Sequence, residues 1–179
     1  MALLGSLAAS AQTKKYTNHN ELSVITYGPA FLESGFGLHT FHGLQVHEKY
    51  AVGLNTGLDR YPVNNEGSKW FVPLSAKINY VEFPARKRSF FAALDLGYSF
   101  AFLNKDGSEE NIAYEYRGGL LLNPQLGWRF KFRDSQKYWS LGGGYRYQEY
   151  TSRDTHDEVS RNENKYHLHR VTLQIGLGF

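Results

Sequence analysis

Val171-Thr172-Leu173-Gln174-Ile175-Gly176-Leu177-Gly178-Phe179 decides the fold. Successive side chains of a β-strand point to opposite faces. In this stretch Val171, Leu173, Ile175, Leu177 and Phe179 therefore make one wholly apolar face. Thr172, Gln174, Gly176 and Gly178 make the other, which is small or polar.

The same two-faced pattern recurs upstream. Over 119–132, Leu120, Leu122, Leu126, Trp128, Phe130 and Phe132 oppose Asn123, Gln125, Gly127, Arg129 and Lys131. Over 89–102 the apolar series runs from Phe90 through Leu94, Leu96 and Tyr98 to Phe100, against Asp95, Gly97 and Ser99. Over 70–81, Trp70, Val72, Leu74, Ile78 and Tyr80 oppose Ser75, Lys77 and Asn79. Over 138–151, Trp139, Leu141, Tyr145 and Tyr147 oppose Ser140, Gly142, Gly144, Arg146 and Gln148. A shorter run at 50–59 sets Val52, Leu54 and Leu58 against Gly53, Asn55 and Gly57. Two less regular runs, 21–28 and 35–46, leave their facing open. With the last run these make eight strands.

The connections alternate in length. Those at 47–49, 82–88 and 133–137 are short; those at 61–69, 104–116 and 152–166 are longer and polar, and 29–34 is intermediate. Short turns at one end and long loops at the other are the habit of membrane barrels. The expectation is an all-β, eight-stranded, antiparallel up-and-down transmembrane barrel, with termini periplasmic and long loops extracellular.

Composition agrees. The chain has 179 residues, of which 16% are aromatic, with 18 Gly and one Met. It holds no stretch of about 20 apolar residues, which a transmembrane helix requires; a barrel conceals its apolarity in alternation. The net charge of +3 is spread along the chain, so no nucleic-acid-binding module is expected. Zero Cys excludes disulfides and Cys-ligated metal. The opening residues 1–11, MALLGSLAASA, have the form of the tail of a secretory signal, with Ala9-Ser10-Ala11 as the cleavage pattern. Residues 12–179 are then a single barrel domain.

Volume and aromatic placement assign the faces. The interior of an eight-stranded barrel is only wide enough for side chains or one small ligand. The bulky face, with all three Trp, does not fit there, so the lean face is the lumen. Tyr80, Trp128 and Trp139 fall near the short turns, and Trp70, Phe100 and Tyr147 near the long loops. These form two aromatic girdles about an aliphatic band of about 25 Å.

The ending at Val171, Leu173, Ile175, Leu177 and Phe179 resembles the C-terminal signature of outer-membrane proteins. The stretches GLDRYP (57–62), LDLGYSF (94–100) and GGYRYQ (143–148) resemble small outer-membrane β-barrel proteins of Bacteroidetes type. The resemblance implies a bacterial outer-membrane location among lipid and lipopolysaccharide. It also implies that the barrel-assembly machinery reads the terminal segment. It implies no reaction.

The lumen face carries Lys77, Asp95, Arg129 and Arg146. Buried charges persist when paired and hydrogen-bonded, so Asp95 is expected to accept from Arg129, Arg146 or Lys77 and to help plug the barrel. His167 and His169 share a strand face but sit at the wet rim, and no metal or cofactor is expected. No catalytic residue is assigned. The segment 39–42, His39-Thr40-Phe41-His42, is the nearest approach to a base beside a hydroxyl, as a lipid A-modifying enzyme would need. The favoured expectation is a structural or interaction role through the loops, as an envelope component or accessory subunit of a larger outer-membrane complex.

Overall fold

The computed structural model describes residues 15–27, 33–63, 67–102, 112–133, 135–156 and 160–179. The expected signal remnant at 1–11 lies outside them. Nine strand segments follow one another: β1 (Lys15–Tyr27), β2 (Glu33–His47), β3 (Tyr50–Pro62), β4 (Ser68–Val81), β5 (Arg88–Phe102), β6 (Ile112–Arg117), β7 (Gly119–Lys131), β8 (Tyr138–His156) and β9 (Ser160–Gly178). β6 and β7 are one course of the barrel, interrupted at Gly118. Each course pairs antiparallel with its neighbours in sequence, and β1 pairs with β9. The result is a closed eight-stranded barrel.

Closure removes the exposed strand edge, whose backbone groups hydrocarbon could not satisfy. The seam runs from His19↔Gly178 to Thr26↔Val171. It is locked at the short-turn end by reciprocal backbone hydrogen bonds between Asn18 and Phe179 at 2.9 and 3.0 Å. Two prolines lie inside strands, where each removes a backbone donor. The β3–β4 pairing skips from Thr56↔Leu74 to Asp59↔Phe71 around Pro73, and the β7–β8 pairing skips from Leu122↔Tyr147 to Gln125↔Gly144 around Pro124.

The faces are sorted oppositely to those of a water-soluble protein. Leu54, Leu96, Leu126, Leu173 and Ile175 are exposed on the outside, while Glu21, Asp59, Lys77, Asp95 and Arg146 are buried in the lumen. The aromatics form two rings. Near the short turns Tyr50 meets Tyr80 with centroids 5.1 Å apart, Phe90 meets Trp128 at 5.8 Å, and Phe130 stacks on Trp139 at 4.2 Å. Toward the other end Phe36 meets Trp70 at 5.9 Å, Tyr98 meets Phe100 at 4.8 Å, and Tyr147 meets His169 at 5.3 Å. Val171, Leu173, Ile175, Leu177 and Phe179 all face outward.

Several boundaries differ from the sequence-based expectation. β1 begins at Lys15 and β2 at Glu33, so both are longer than the runs at 21–28 and 35–46. Glu21, Ser23, Gly37 and His39 face the lumen, which settles the facing of these strands. The segment expected as a loop at 152–166 is mostly strand: β8 and β9 pair without interruption to His156↔Ser160. β6 occupies the last part of the segment expected as a loop at 104–116, from Ile112 on, and pairs with the outer part of β8. The three make a ribbon that projects beyond the girdle. Its polarity conceals its β-structure, because cross-strand pairs support it in water. Arg153 Nη2 donates to Glu163 Oε2 at 2.6 Å, and Lys165 Nζ lies 3.0 Å from Glu149 Oε1.

Leu96 is 53% exposed at mid-height. On a soluble protein Leu96→Arg would be close to neutral. On a lipid-facing midplane position it is expected to cost about 2–4 kcal/mol, read by urea unfolding in lipid vesicles.

Candidate functional site: the lumen and its two ends

The lumen side chains come from alternate positions of every strand and meet in a connected polar core. Lys77 on β4 lies 3.5 Å from Glu21 on β1 and 3.5 Å from Asp95 on β5. It also donates to Gln125 Oε1 at 3.0 Å. Asp95 accepts from Asn55 at 3.0 Å, Ser75 at 3.2 Å, and Asn123 and Gln125 at 3.3 Å each. Its cationic neighbour is Lys77; Arg146 and Arg129 go elsewhere.

Arg146 Nη2 donates to Asp59 Oδ2. Asp59 Oδ1 is 2.8 Å from His39 Nε2, and the other ring nitrogen of His39 is 3.7 Å from Glu21 Oε1. One chain of contacts thus runs from Arg146 through Asp59, His39, Glu21 and Lys77 to Asp95. Every carboxylate in it has a cationic or imidazole neighbour, which offsets the cost of taking charge out of water. Glycine makes the room: a methyl group at Gly37 would collide with Asp59 and Ser23, and one at Gly57 with the His39 ring.

The sequence reading missed Glu21, His39 and Asp59. Asp59 was accessible, since it has the parity of Gly57 and Asn55. Glu21 and His39 were masked by polar residues on the opposite, outward face of β1 and β2. There Tyr16 OH lies 2.5 Å from His42 Nδ1, and Thr40 Oγ1 lies 3.0 Å from His42 Nε2. Asn18 Nδ2 donates to Phe41 O at 3.1 Å, and Asn20 Nδ2 to Asn18 Oδ1 at 2.9 Å. A polar patch thus interrupts the apolar exterior near the short-turn end. His39 and His42, close in sequence, point to opposite sides of the wall.

Above the charges an apolar cap closes the barrel toward the ribbon. Ile25, Tyr61, Val63, Phe71, Tyr150 and Leu168 form one buried cluster. Tyr61 stacks on Phe71 at 4.8 Å, and its hydroxyl donates to Gln148 Oε1 at 2.5 Å. Burying each such side chain contributes about 1.5–3 kcal/mol. Below the charges Arg129 crosses the Tyr138 ring, its guanidinium carbon 3.9 Å from the centroid. The space among His19, Lys77, Gln125, Arg129 and Ser140 has no room for a water molecule. Chemically, this middle stretch of the lumen can store paired charge, and the space beside Arg129 has no room for a substrate. Among the described residues no three of His, Cys, Asp or Glu are placed to hold a metal ion.

Arg146→Met leaves Asp59 buried beside His39 alone and is expected to cost about 3–5 kcal/mol of stability. Adding Asp59→Asn should recover part of that loss. Unfolding in detergent of the single and double variants measures both.

The backbone is similar to three solved outer-membrane proteins. It matches the crystal structure of OprG from Pseudomonas aeruginosa with a TM-score of 0.64 at 12% identity, over 91% of this chain and 93% of that one. It matches AlkL, solved by solid-state NMR in lipid bilayers, at 0.59 and 14% identity, over 100% of this chain and 95% of that one. It matches Neisserial surface protein A at 0.54 and 14% identity, over 91% and 95% of the two chains. No protein-family model and no curated protein sequence matches it. At these identities the likeness is one of fold, and that fold is the eight-stranded transmembrane β-barrel.

Proposed function

We propose that this chain is an integral protein of a bacterial outer membrane, closed to solutes, that anchors its projecting ribbon for contact with other envelope components. The double plug carries the reading: a paired charge network across the middle of the lumen and an apolar cap above it. In this reading the termini and short turns are periplasmic, and the ribbon of β6, β8 and β9 is extracellular. Lipopolysaccharide and a larger outer-membrane complex are the partners that suit an exposed ribbon of mixed charge. The outward-facing terminal strand suits recognition by the barrel-assembly machinery. The resemblance of 57–62, 94–100 and 143–148 to Bacteroidetes-type barrels belongs to the same reading.

A planar-bilayer recording tests the plug. The expected result is no stepwise ion conductance from the folded protein. Sustained open-channel currents would replace an anchoring role with transport.

Thr40, His42 and Tyr16 favour a second reading, ester hydrolysis at the lipid-facing wall. A base within hydrogen-bond reach of a hydroxyl, held by a third group, is the minimum for nucleophilic attack. The patch lies toward the short turns, so in the proposed orientation it meets the phospholipid leaflet rather than lipid A. On this reading the folded protein hydrolyses phospholipid esters in mixed micelles and Thr40→Ala abolishes the release of fatty acid. Equal release from the two proteins, or none from either, removes the reading.

A further inference from the structure

At the short-turn end the lumen opens into a hollow of about 290 Å³. Phe41, Asn79, Ser89 and Tyr138, all buried, are among its walls. Beyond Arg129 the next space inward cannot hold a water, so the hollow is blind. Five cations line it: Lys15, Lys49, Arg86, Arg129 and Lys131. Against them stands one acidic side chain, Glu48, with the main-chain end of Phe179 also in the lining.

These cations differ from those deeper in the barrel. Lys77 and Arg146 each sit against a carboxylate. Among the described residues none of the five around the hollow is in an ion pair. Asp134 lies outside the described residues. Arg86 lies over the Phe83 ring and Arg129 over Tyr138, at 3.9 Å in each case. Arg129 reaches farthest in, and its buried Nε has no hydrogen-bond partner among the described residues. A wall of like charges around a low-dielectric recess repels itself and focuses positive potential into the space. An entering anion relieves the repulsion.

We infer that this hollow is a binding site for a small phosphate monoester. Five cations against one acidic side chain call for more than a single negative charge, and a phosphate monoester carries about 1.5 to 2 near neutral pH. Guanidinium groups match phosphate oxygens in geometry as well as charge. The volume is near the lower end of ligand clefts, roughly 300 Å³, so the organic body is no larger than a sugar. The same chemistry is offered by a free sugar phosphate and by a lipid whose headgroup is a phosphate monoester, such as phosphatidic acid.

The test is calorimetric titration of the full chain, folded in nonionic detergent, with glucose 6-phosphate. Saturable binding is expected. Arg129→Gln with Lys131→Gln should weaken it by about tenfold or more, and Lys87→Gln with Lys137→Gln, exposed at the same end but outside the hollow, should not. Should the first pair fail to fold, Lys15→Gln with Lys49→Gln takes its place with the same expectation. Repeating the titration in vesicles that contain phosphatidic acid, whose headgroup is a phosphate monoester, separates the sources. Retained binding assigns the site to a free phosphate, and competitive loss assigns it to a headgroup. The inference is overturned if wild-type protein does not saturate, if the hollow variants bind undiminished, or if both pairs lose binding equally. The last result would leave only a basic rim facing the membrane.

Discussion

The pairing of β1 with β9 is the constraint on which the rest of this molecule depends. A sheet left open in hydrocarbon would expose a row of backbone donors and acceptors with nothing to receive them. Closing it satisfies them all and fixes two further properties at once. Every strand then has one face toward lipid and one toward a narrow interior. The interior of eight strands is small enough that side chains must fill it or leave a single cavity.

The lumen shows what filling means when polar residues do it. The charges are not scattered; basic side chains and carboxylates alternate along one connected path, with amides from Asn55, Asn123 and Gln125 completing the carboxylate at Asp95. Such a network is worth more whole than in parts, because the low dielectric that strengthens each contact also penalises each orphan. The same low dielectric makes the cations at the short-turn end, in no ion pair among the described residues, conspicuous. One half of the barrel neutralises its charge internally, and the other leaves a surplus at an opening.

Much of this architecture was legible in the sequence. The terminal run from Val171 to Phe179 and the strands holding Lys77, Asp95 and Arg146 alternate cleanly, because one parity is apolar and the other is not. Both girdles followed from the same parity. Legibility ended where both parities are polar. On β1 and β2, Asn18, Asn20, Thr40 and His42 face outward while His19, Glu21 and His39 face inward, so alternation carried no contrast. It ended again in the ribbon, where Arg153, Glu163 and Lys165 have the composition of a loop. There the strand is supported by cross-strand partners that no local pattern displays. Which cation meets Asp95 was also beyond reach, since Lys77, Arg129 and Arg146 share a face and only the stagger of the strands separates them.

The unequal partners of β9 set an order of events. Its pairing with β8 is a local hairpin that reaches within a few residues of its tip, His156↔Ser160. Its pairing with β1 joins residues that are at least 145 positions apart in sequence, the separation of Thr26 and Val171. Contacts of that separation bear the largest chain-closure entropy and form slowly. A nascent barrel can therefore zip up its meander strand by strand and still wait on one long-range union. Until that union the free edges of β1 and β9 are both open to addition by any other strand. The last ring to close is also the point at which the chain is most susceptible to being templated, or captured, by another protein.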